Sequence, residues 1–373
     1  YIKNFLYFNI KMGNVTSYLA GEKQELLANH DSDNDATLIN KKSISPYDSK
    51  LIINSKDYSC VIQKLREFFL NRNFVEVSTQ NRLSILAACE DPFNVETFHY
   101  NHEVWPLPQT GQMWLEYELL KHGVSCVNRK NKKFDNSNGS NSSDSDNNDD
   151  NNDNNDNNDN NDNNDNNDNN DNNDNVEGYF CITTSYRNEK NPIEGRHDLI
   201  FPLFEFETKG DINDLASLEE DLLVHLGYDK SKIKRENYLE LSKKFNVKEL
   251  DNDHEMKLYD ESPSFFITKF PDYTFPFWNM KQNDDGTSNK IDVILSGYET
   301  IGSAERESNP EVMRNNFNTI MDGKYRDKLY ELFGKERTDA ELNEYLNFKF
   351  FKRFGGGIGV TRLIRSMKLE SLL

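Results

Sequence analysis

The stretch from residue 184 to 211, TSYRNEKNPIEGRHDLIFPLFEFETKGD, constrains the fold of this chain more than any other. It combines an Arg-x-Glu pair, a polar loop that ends in Arg-His, and a strand-like run that carries carboxylates. This order predicts a strand, a charged loop and a return strand. Arginines are permanently charged, forked donors for phosphate oxygens, so the loop is suited to a nucleoside triphosphate. The residues concerned are Arg187, Glu189, Arg196, His197 and Glu205.

Composition indicates an acidic protein with an ordinary surface charge outside one tract. The 373 residues carry a formal net charge of −20, but twelve aspartates between residues 140 and 175 account for part of it and leave −8 for the rest. No wide basic surface is implied, so a nucleic-acid partner would have to bind a local patch. The four cysteines form no Cys-x-x-Cys pair, and no apolar run is long enough to span a membrane. We therefore expect a cytoplasmic protein.

Two low-complexity regions divide the chain. Residues 1–57 are polar and lack apolar periodicity, which predicts a flexible N-terminal leader. Residues 128–175 are dominated by Asn-Asn-Asp repeats and predict a disordered surface insertion, so one folded domain is expected over the remainder of 58–373. If translation began at Met12, Gly13 would fit the N-myristoylation pattern, with a chance match in the leader as the alternative.

Three segments, in the same order along the chain, resemble the signature motifs of the class II aminoacyl-tRNA synthetases. The helical pattern from Tyr58 and the strand at 74–77 resemble motif 1, which forms the dimer interface in those enzymes, although Gln80 stands where that motif carries proline. Residues 184–211 resemble motif 2. Residues 354–362, FGGGIGVTR, resemble motif 3, whose glycines let the backbone pass close to ATP, and this run is expected to open a helix that carries Arg362.

Two further segments are similar to the asparaginyl members of that class. Residues 111–116, GQMWLE, resemble their substrate-binding turn and helix. The aspartyl enzymes carry a lysine where this chain has Leu115, so the reason to prefer aspartate is lost. Asp292, Glu299 and Arg306 follow the spacing at which the aspartyl and asparaginyl enzymes carry two acids and an arginine beyond a Gly-rich turn. Two such carboxylates can share a Mg²⁺ ion that bridges ATP phosphates.

The closest resemblance is to asparaginyl-tRNA synthetase, and it implies a fold and a reaction. The fold is α+β, an antiparallel sheet flanked by helices. In the reaction, the carboxylate of a small amino acid (Asn or Asp) attacks the α-phosphate of ATP, giving an aminoacyl-adenylate and pyrophosphate, with Mg²⁺ as cofactor. Catalysis is then positioning and charge stabilisation. The implied roles are catalysis by Arg187 and Arg362, ATP binding by Arg187, Glu189, Arg196, His197, Gly357, Gly359 and Arg362, amino-acid binding by Gln112, Glu205 and Arg306, and metal binding by Asp292 and Glu299.

The acceptor of the activated amino acid stays open, and three functions compete. The first is an asparaginyl-type tRNA ligase that works as a homodimer, although the region before Tyr58 is too short for the separate anticodon-binding barrel of many synthetases. The second is an ammonia-dependent asparagine synthetase, which shares the class II fold. The third is a non-catalytic paralogue that binds a nucleotide or a partner. Both motif arginines and both metal carboxylates are present, which argues against the third, and Leu115 in place of the lysine weakens the second, so we favour the first.

Three departures from the family pattern fall around the substrate. Ile200 stands where asparaginyl and aspartyl enzymes have a glutamate, and Thr361 replaces the usual acid before Arg362. Lys352 and Arg353 stand where asparaginyl enzymes have Pro-His. The sequence therefore predicts a nearly intact ATP end and an altered amino-acid end of the site.

Overall fold

The computed structural model describes residues that all belong to one compact unit, Ile52–Leu373. The described residues are 53–79, 83–86, 90–122, 176–190, 192, 198–274 and 276–373. The predictions that lie outside them concern Gly13, Gln80, Arg196, His197, the insertion at 128–175 and all but the last residues of the leader. The first helix begins at Ser55, within those last residues of the predicted leader.

A large sheet forms the centre of the fold. The strands within the described residues are β1 (Phe74–Glu76), β2 (Thr97–Tyr100), β3 (Glu103–Pro106), β4 (Gly178–Tyr186), β5 (Ile200–Lys209), β6 (Ile233–Asn237), β7 (Ser264–Pro271), β8 (Thr287–Leu295), β9 (Tyr298–Glu305) and β10 (Arg353–Gly359). Eight of them pair in the order β1-β4-β5-β10-β9-β8-β7-β6, while β2 and β3 form a separate hairpin. Within the eight-stranded sheet, only β1–β4 and β6–β7 are parallel.

Helices flank this sheet. Those within the described residues are α1 (Ser55–Leu70), α2 (Gln112–His122), α3 (Ile212–Leu226), α4 (Tyr238–Phe245), α5 (Asn252–Tyr259), α6 (Pro310–Thr319), α7 (Lys324–Phe333), α8 (Lys335–Leu346) and α9 (Val360–Leu369). None of these helices combines the length and the apolarity that a membrane span requires. The mostly antiparallel sheet with flanking helices confirms the α+β fold expected from the sequence.

The main core lies between the sheet and the helices α1, α3 and α9. Helix α1 begins after the N-cap Asn54, whose side chain accepts a hydrogen bond from the backbone N–H of Lys56 at 2.9 Å. Its apolar positions follow helical spacing and are buried as predicted; they are Val61, Ile62, Leu65, Phe68 and Phe69. Each such side chain stabilises the fold by about 1.5–3 kcal/mol through burial.

The alternation of β5 decides where the chemistry lies. Phe204 and Phe206 point into the core shared with α1, whereas Leu203 and Glu205 point to the opposite face and line a cavity. Glu207 follows with the same parity and contacts residues of that face. A strand that alternates phenylalanine with glutamate therefore separates the core from the candidate site.

Two details differ from the sequence-based expectations. The segment between Glu299 and Arg306, expected as a Gly-rich turn, is strand β9, and the turn lies earlier, at Ser296 and Gly297, where both residues have positive φ. The Gly-rich run of motif 3, expected to open a helix, is strand β10, and the helix begins only at Val360. The glycines thus lie flat in the sheet because β5 and β9 pair with them on both sides.

Candidate active site

The sheet carries a cavity of about 140 Å³ on the face away from α1. Strands β5, β9 and β10 form its floor, and α2 and α9 contribute residues at their first turns. The predicted residues on its wall are Gln112, Arg187, Glu205, Glu299, Arg306, Gly357, Gly359 and Arg362. Glu189 does not line this cavity, and Arg196 and His197 lie outside the described residues. The structure therefore brings together side chains that are up to 250 positions apart in the sequence.

Glu205 is a fully buried carboxylate held by several donors. The backbone N–H of Gly111 donates to Glu205 Oε2 at 2.8 Å, and the Thr183 hydroxyl donates to the same oxygen at 2.7 Å. The Thr110 hydroxyl donates to Glu205 Oε1. Burial raises the pKa of Glu205, and these hydrogen bonds oppose that effect. Glu205 thus ties the start of α2 to the floor of the cavity.

Arg306 is bound by a second buried carboxylate, Glu207. Arg306 Nε and Nη2 lie 3.3 and 3.1 Å from the two oxygens of Glu207, and Gln112 Nε2 also donates to Glu207. Burial raises the pKa of Glu207 to about 7, although the adjacent Arg306 acts in the opposite direction. Arg306 and Gln112, both predicted to bind the amino acid, therefore share one carboxylate that the sequence did not single out.

A further buried network lies behind Arg306. Glu116 Oε1 is 3.5 Å from Arg306 Nε, and Glu116 Oε2 accepts a hydrogen bond from Arg353 Nη2 at 2.8 Å. The Tyr345 hydroxyl also donates to Glu116 Oε2, and Asn279 Nδ2 donates to Oε1 at 2.8 Å. Burial alone would raise the pKa of Glu116, but Arg353 and Arg306 outweigh it and the pKa is lowered. Two arginines and two glutamates therefore form one paired cluster.

Leu115 does not line the cavity. Its side chain is fully buried and packs with Leu119, Tyr179 and Cys181. The position where the aspartyl enzymes carry lysine is therefore part of the packed interior in this protein.

Gly355 is required by the close approach of β10 to Glu207. A Cβ atom at this position would overlap the Glu207 carboxylate and lie 2.5 Å from both Gln112 Nε2 and the Phe206 carbonyl oxygen. At Gly357 the nearest atoms to such a Cβ are carbons of Leu203 at 3.6 Å, an ordinary contact. The first glycine of the run thus makes room for the buried carboxylate, and the third one leaves the cavity open.

The two motif arginines, Arg187 and Arg362, both line the cavity. Arg187 follows β4 directly, its guanidinium lies 5.3 Å from the ring centre of Phe201, and its buried Nε has no hydrogen-bond partner among the described residues. Arg362 lies in the first turn of α9, and its Nη1 donates to the Glu299 carbonyl at 2.6 Å. A buried guanidinium N–H that lacks a partner is suited to an anion, such as a phosphate oxygen.

Asp292 and Glu299 are compatible with a magnesium ion shared with a nucleotide. A Cβ placed on Gly302 would lie 3.2 Å from Glu299 Oε1 and 3.7 Å from Asp292 Oδ1, so both carboxylates reach the same space. Asp292 Oδ1 is buried and lacks a hydrogen-bond partner among the described residues. Burial raises the pKa of Asp292 to about 7, opposed by Lys290, whose Nζ donates to Oδ2 at 2.7 Å.

No cluster of three or more His, Cys, Asp or Glu side chains placed to hold a metal occurs among the described residues.

Sequence comparison decides the family. Residues 175–371, more than half of the chain, match the family described as tRNA synthetases class II (D, K and N). The chain belongs to this class II synthetase family. No curated protein matches the chain in a sequence comparison.

Solved structures of class II synthetases share the fold. Asparaginyl-tRNA synthetase from Pyrococcus horikoshii, complexed with asparaginyl-adenylate, is 18% identical with a TM-score of 0.57, covering 83% of this chain and 64% of that enzyme. Asparaginyl-tRNA synthetase from Entamoeba histolytica, also with asparaginyl-adenylate, is 16% identical with a TM-score of 0.58 and covers 87% and 72%. Aspartyl-tRNA synthetase from Entamoeba histolytica is 15% identical with a TM-score of 0.53 and covers 83% and 54%. The chain thus spans less than two thirds of the length of the Pyrococcus enzyme.

In this member of the class II synthetase family, the departures from the family pattern have different structural settings. Ile200 begins β5 and is 62% exposed, and Thr361 lines the cavity beside Arg362. Arg353 is fully buried and bound to Glu116. Arg353, one of the two residues that stand in place of Pro-His, is therefore paired with a buried carboxylate of the same protein.

Proposed function

We propose that the protein activates asparagine with ATP, forming asparaginyl-adenylate and pyrophosphate, as an asparaginyl-type aminoacyl-tRNA ligase-like enzyme. The observation that carries the proposal is the shared cavity wall. One cavity is lined both by Arg187 and Arg362, which we assign to the nucleotide, and by Gln112, Glu205 and Arg306, which we assign to the amino acid. Family membership and the asparaginyl-adenylate complexes of the two similar structures support the same reaction.

Activation requires the amino-acid carboxylate to reach the α-phosphate in line with the departing pyrophosphate. No nucleophilic side chain or general base is needed, so the protein contributes positioning and charge stabilisation. In the proposal, Arg187 binds the α-phosphate and stabilises the negative charge of the transition state, with Glu189 near the adenine. Arg362 binds the outer phosphates, aided by Arg196 and His197.

Asp292 and Glu299 would hold the magnesium ion that accompanies ATP. The ion, when bound, supplies positive charge to the phosphate oxygens. The unpartnered Oδ1 of Asp292 and the convergence of both carboxylates above Gly302 support this assignment. Gly357 and Gly359 leave the floor of the cavity open beside them, since neither would bring a Cβ closer than 3.6 Å to a neighbour.

Asparagine fits the amino-acid end better than aspartate. Arg306 is already neutralised by Glu207 and Glu116 in a buried cluster. An aspartate side chain would add a third carboxylate there, and unpaired buried charge is costly. A carboxamide adds no charge, accepts a hydrogen bond from a guanidinium or amide donor, and offers its N–H groups to the buried glutamates.

We also propose that the enzyme is a homodimer and that tRNA accepts the activated amino acid, as the class implies. Strand β1 lies at one edge of the sheet and exposes Val75 by 40%, and Leu70, the last residue of the neighbouring α1, is 51% exposed. Exposed apolar side chains at a sheet edge are suited to a second copy of the same chain. Light scattering of the purified protein measures the molecular mass and tests the dimer.

The test of the proposed function is amino-acid-dependent exchange of pyrophosphate into ATP, with each of the twenty amino acids in turn. Exchange with asparagine alone supports the proposal. Exchange with aspartate, together with ammonia-dependent formation of asparagine, would favour an ammonia-dependent asparagine synthetase instead. If none of the amino acids gives exchange, the protein is a non-catalytic member of the family.

A further inference from the structure

Lys290 is a cation inside the candidate nucleotide site to which the motifs assign no role. It lies on β8 two residues before Asp292, so both side chains leave the same face of the sheet. Lys290 lines the cavity, and its Nζ donates to Asp292 Oδ2 at 2.7 Å. One of the two candidate metal carboxylates is therefore already engaged by an ammonium group.

The ammonium is held in place from two sides. Its Nζ lies 4.2 Å from the ring centre of Phe270, and the side chain is about one quarter exposed (26%). A cation above an aromatic ring is attracted to its face, so Phe270 fixes the position of the charge. An ammonium has three N–H donors, and Asp292 takes one, which leaves donors for an anion in the cavity.

The charges around Lys290 indicate what it compensates. Asp292, Glu299 and Glu255 all lie close enough to interact with its positive charge. Three carboxylates would repel a triphosphate strongly unless cations lie between them. Lys290 supplies one such cation permanently. It also occupies Asp292 Oδ2, which leaves Asp292 Oδ1 as the oxygen without a partner among the described residues.

We propose that Lys290 is a built-in cation of the nucleotide site, which pairs with Asp292 and contacts the triphosphate directly, beside the magnesium ion. The proposal rests on the proposed function, since it assumes that ATP binds in this cavity. It follows that ATP binds in part without divalent metal, and that Mg²⁺ and Lys290 compete for Asp292.

The experiment measures the Kd of ATP by calorimetry, with excess Mg²⁺ and again with EDTA, for the full chain and three variants. Lys290→Met removes the charge but keeps the length and the apolar contact with Phe270. Lys290→Arg keeps the charge. Lys244→Met is the control, because Lys244 pairs with Glu261 at 2.6 Å outside the cavity. Calorimetric titration of Mg²⁺ alone into each protein is the second readout, and unfolding curves verify that the variants fold.

The proposal expects the unaltered protein, Lys290→Arg and Lys244→Met to bind ATP weakly but measurably in EDTA. Lys290→Met should lose about tenfold more affinity in EDTA than in Mg²⁺, the effect of one charge-assisted hydrogen bond. It should also bind Mg²⁺ alone more tightly, because Asp292 loses its competitor. If Lys290→Met does not fold, Lys290→Gln, which keeps a donor for Asp292 without the charge, takes its place.

Two results would overturn the inference. In the first, ATP binds in the presence of Mg²⁺, but the change from Mg²⁺ to EDTA weakens ATP binding by the same factor in the unaltered protein and in Lys290→Met. In the second, the Mg²⁺ affinity of the free protein is unchanged by Lys290→Met. Absence of ATP binding under both conditions would instead reject the proposed function on which the inference rests.

Discussion

The guanidinium of Arg306 is bound by both oxygens of the buried Glu207 carboxylate, at 3.3 and 3.1 Å. This pairing fixes Arg306 on the cavity wall before any substrate arrives. It also neutralises most of the positive charge with which Arg306 could otherwise bind the carboxylate of an aspartate side chain. Breaking the pair with one substitution should therefore change the choice between asparagine and aspartate.

Glu207→Gln tests this relationship. The substitution leaves the size of the side chain unchanged and frees one positive charge at Arg306. We expect the ratio of aspartate-dependent to asparagine-dependent exchange to rise about tenfold, the effect of one charge-assisted hydrogen bond. Glu220→Gln, which removes a carboxylate paired with Arg235 near the surface, is the matched control. An unchanged ratio in Glu207→Gln would mean that Arg306 does not select the amino acid.

The glycines of β10 give a second prediction. Gly355→Ala places a methyl group on the Glu207 carboxylate and should destabilise the protein by about 1–3 kcal/mol, as overpacked cores do. In Gly357→Ala the new methyl group meets only Leu203 carbons at 3.6 Å. The free energy of unfolding of this variant should therefore fall by only a small fraction of the loss in Gly355→Ala. Thermal unfolding of both variants measures the difference. Equal destabilisation of the two would show that the close approach at Gly355 is absent in solution.

Glu219 predicts a pH-dependent stability. This residue of α3 is fully buried, and neither carboxylate oxygen has a hydrogen-bond partner among the described residues. Burial raises its pKa from 4.5 to about 8. Ser303 lowers this pKa by a smaller amount, and the Ser303 hydroxyl donates its hydrogen bond to the Ile291 carbonyl. The unfolded chain therefore loses this proton at a lower pH than the folded protein does. The free energy of unfolding falls as the pH rises from about 4.5 to about 8.

Glu219→Gln removes this titration. Its free energy of unfolding should exceed that of the unaltered protein by an amount that grows with pH, by up to about 1.4 kcal/mol per pH unit. Near pH 5 the two proteins should be similar. Urea unfolding from pH 5 to pH 8 measures the difference, with Glu220→Gln on the same helix as a control. A gain that does not depend on pH would contradict a buried neutral carboxyl.

The sequence predicts the residues whose neighbours lie close along the chain. The resemblance to the class II motifs singled out Arg187, Glu205 and Arg362, because motifs are local patterns, and all three line the cavity. Lys290 was missed, although its two-residue spacing from Asp292 on a strand is a signal that could have found it.

The remainder depends on contacts between distant segments. Glu116 and Arg353 pair across 237 positions, and no local pattern indicates which buried glutamate meets which buried arginine. Helices α6, α7 and α8, which cover a second apolar core with Trp278 and Tyr345, likewise have no counterpart in the motifs. The fold class follows from the motifs, whereas the charge balance around Arg306 requires the three-dimensional structure.

Asparagine-dependent exchange of pyrophosphate into ATP, in the unaltered protein and in Arg187→Ala, tests the central claim most directly. We predict exchange with asparagine in the unaltered protein. The variant should lose this exchange while its unfolding curve stays unchanged, because Arg187 stabilises charge at the α-phosphate and its side chain is not part of the core. No asparagine-dependent exchange in the unaltered protein, or equal exchange in both proteins, would contradict the account.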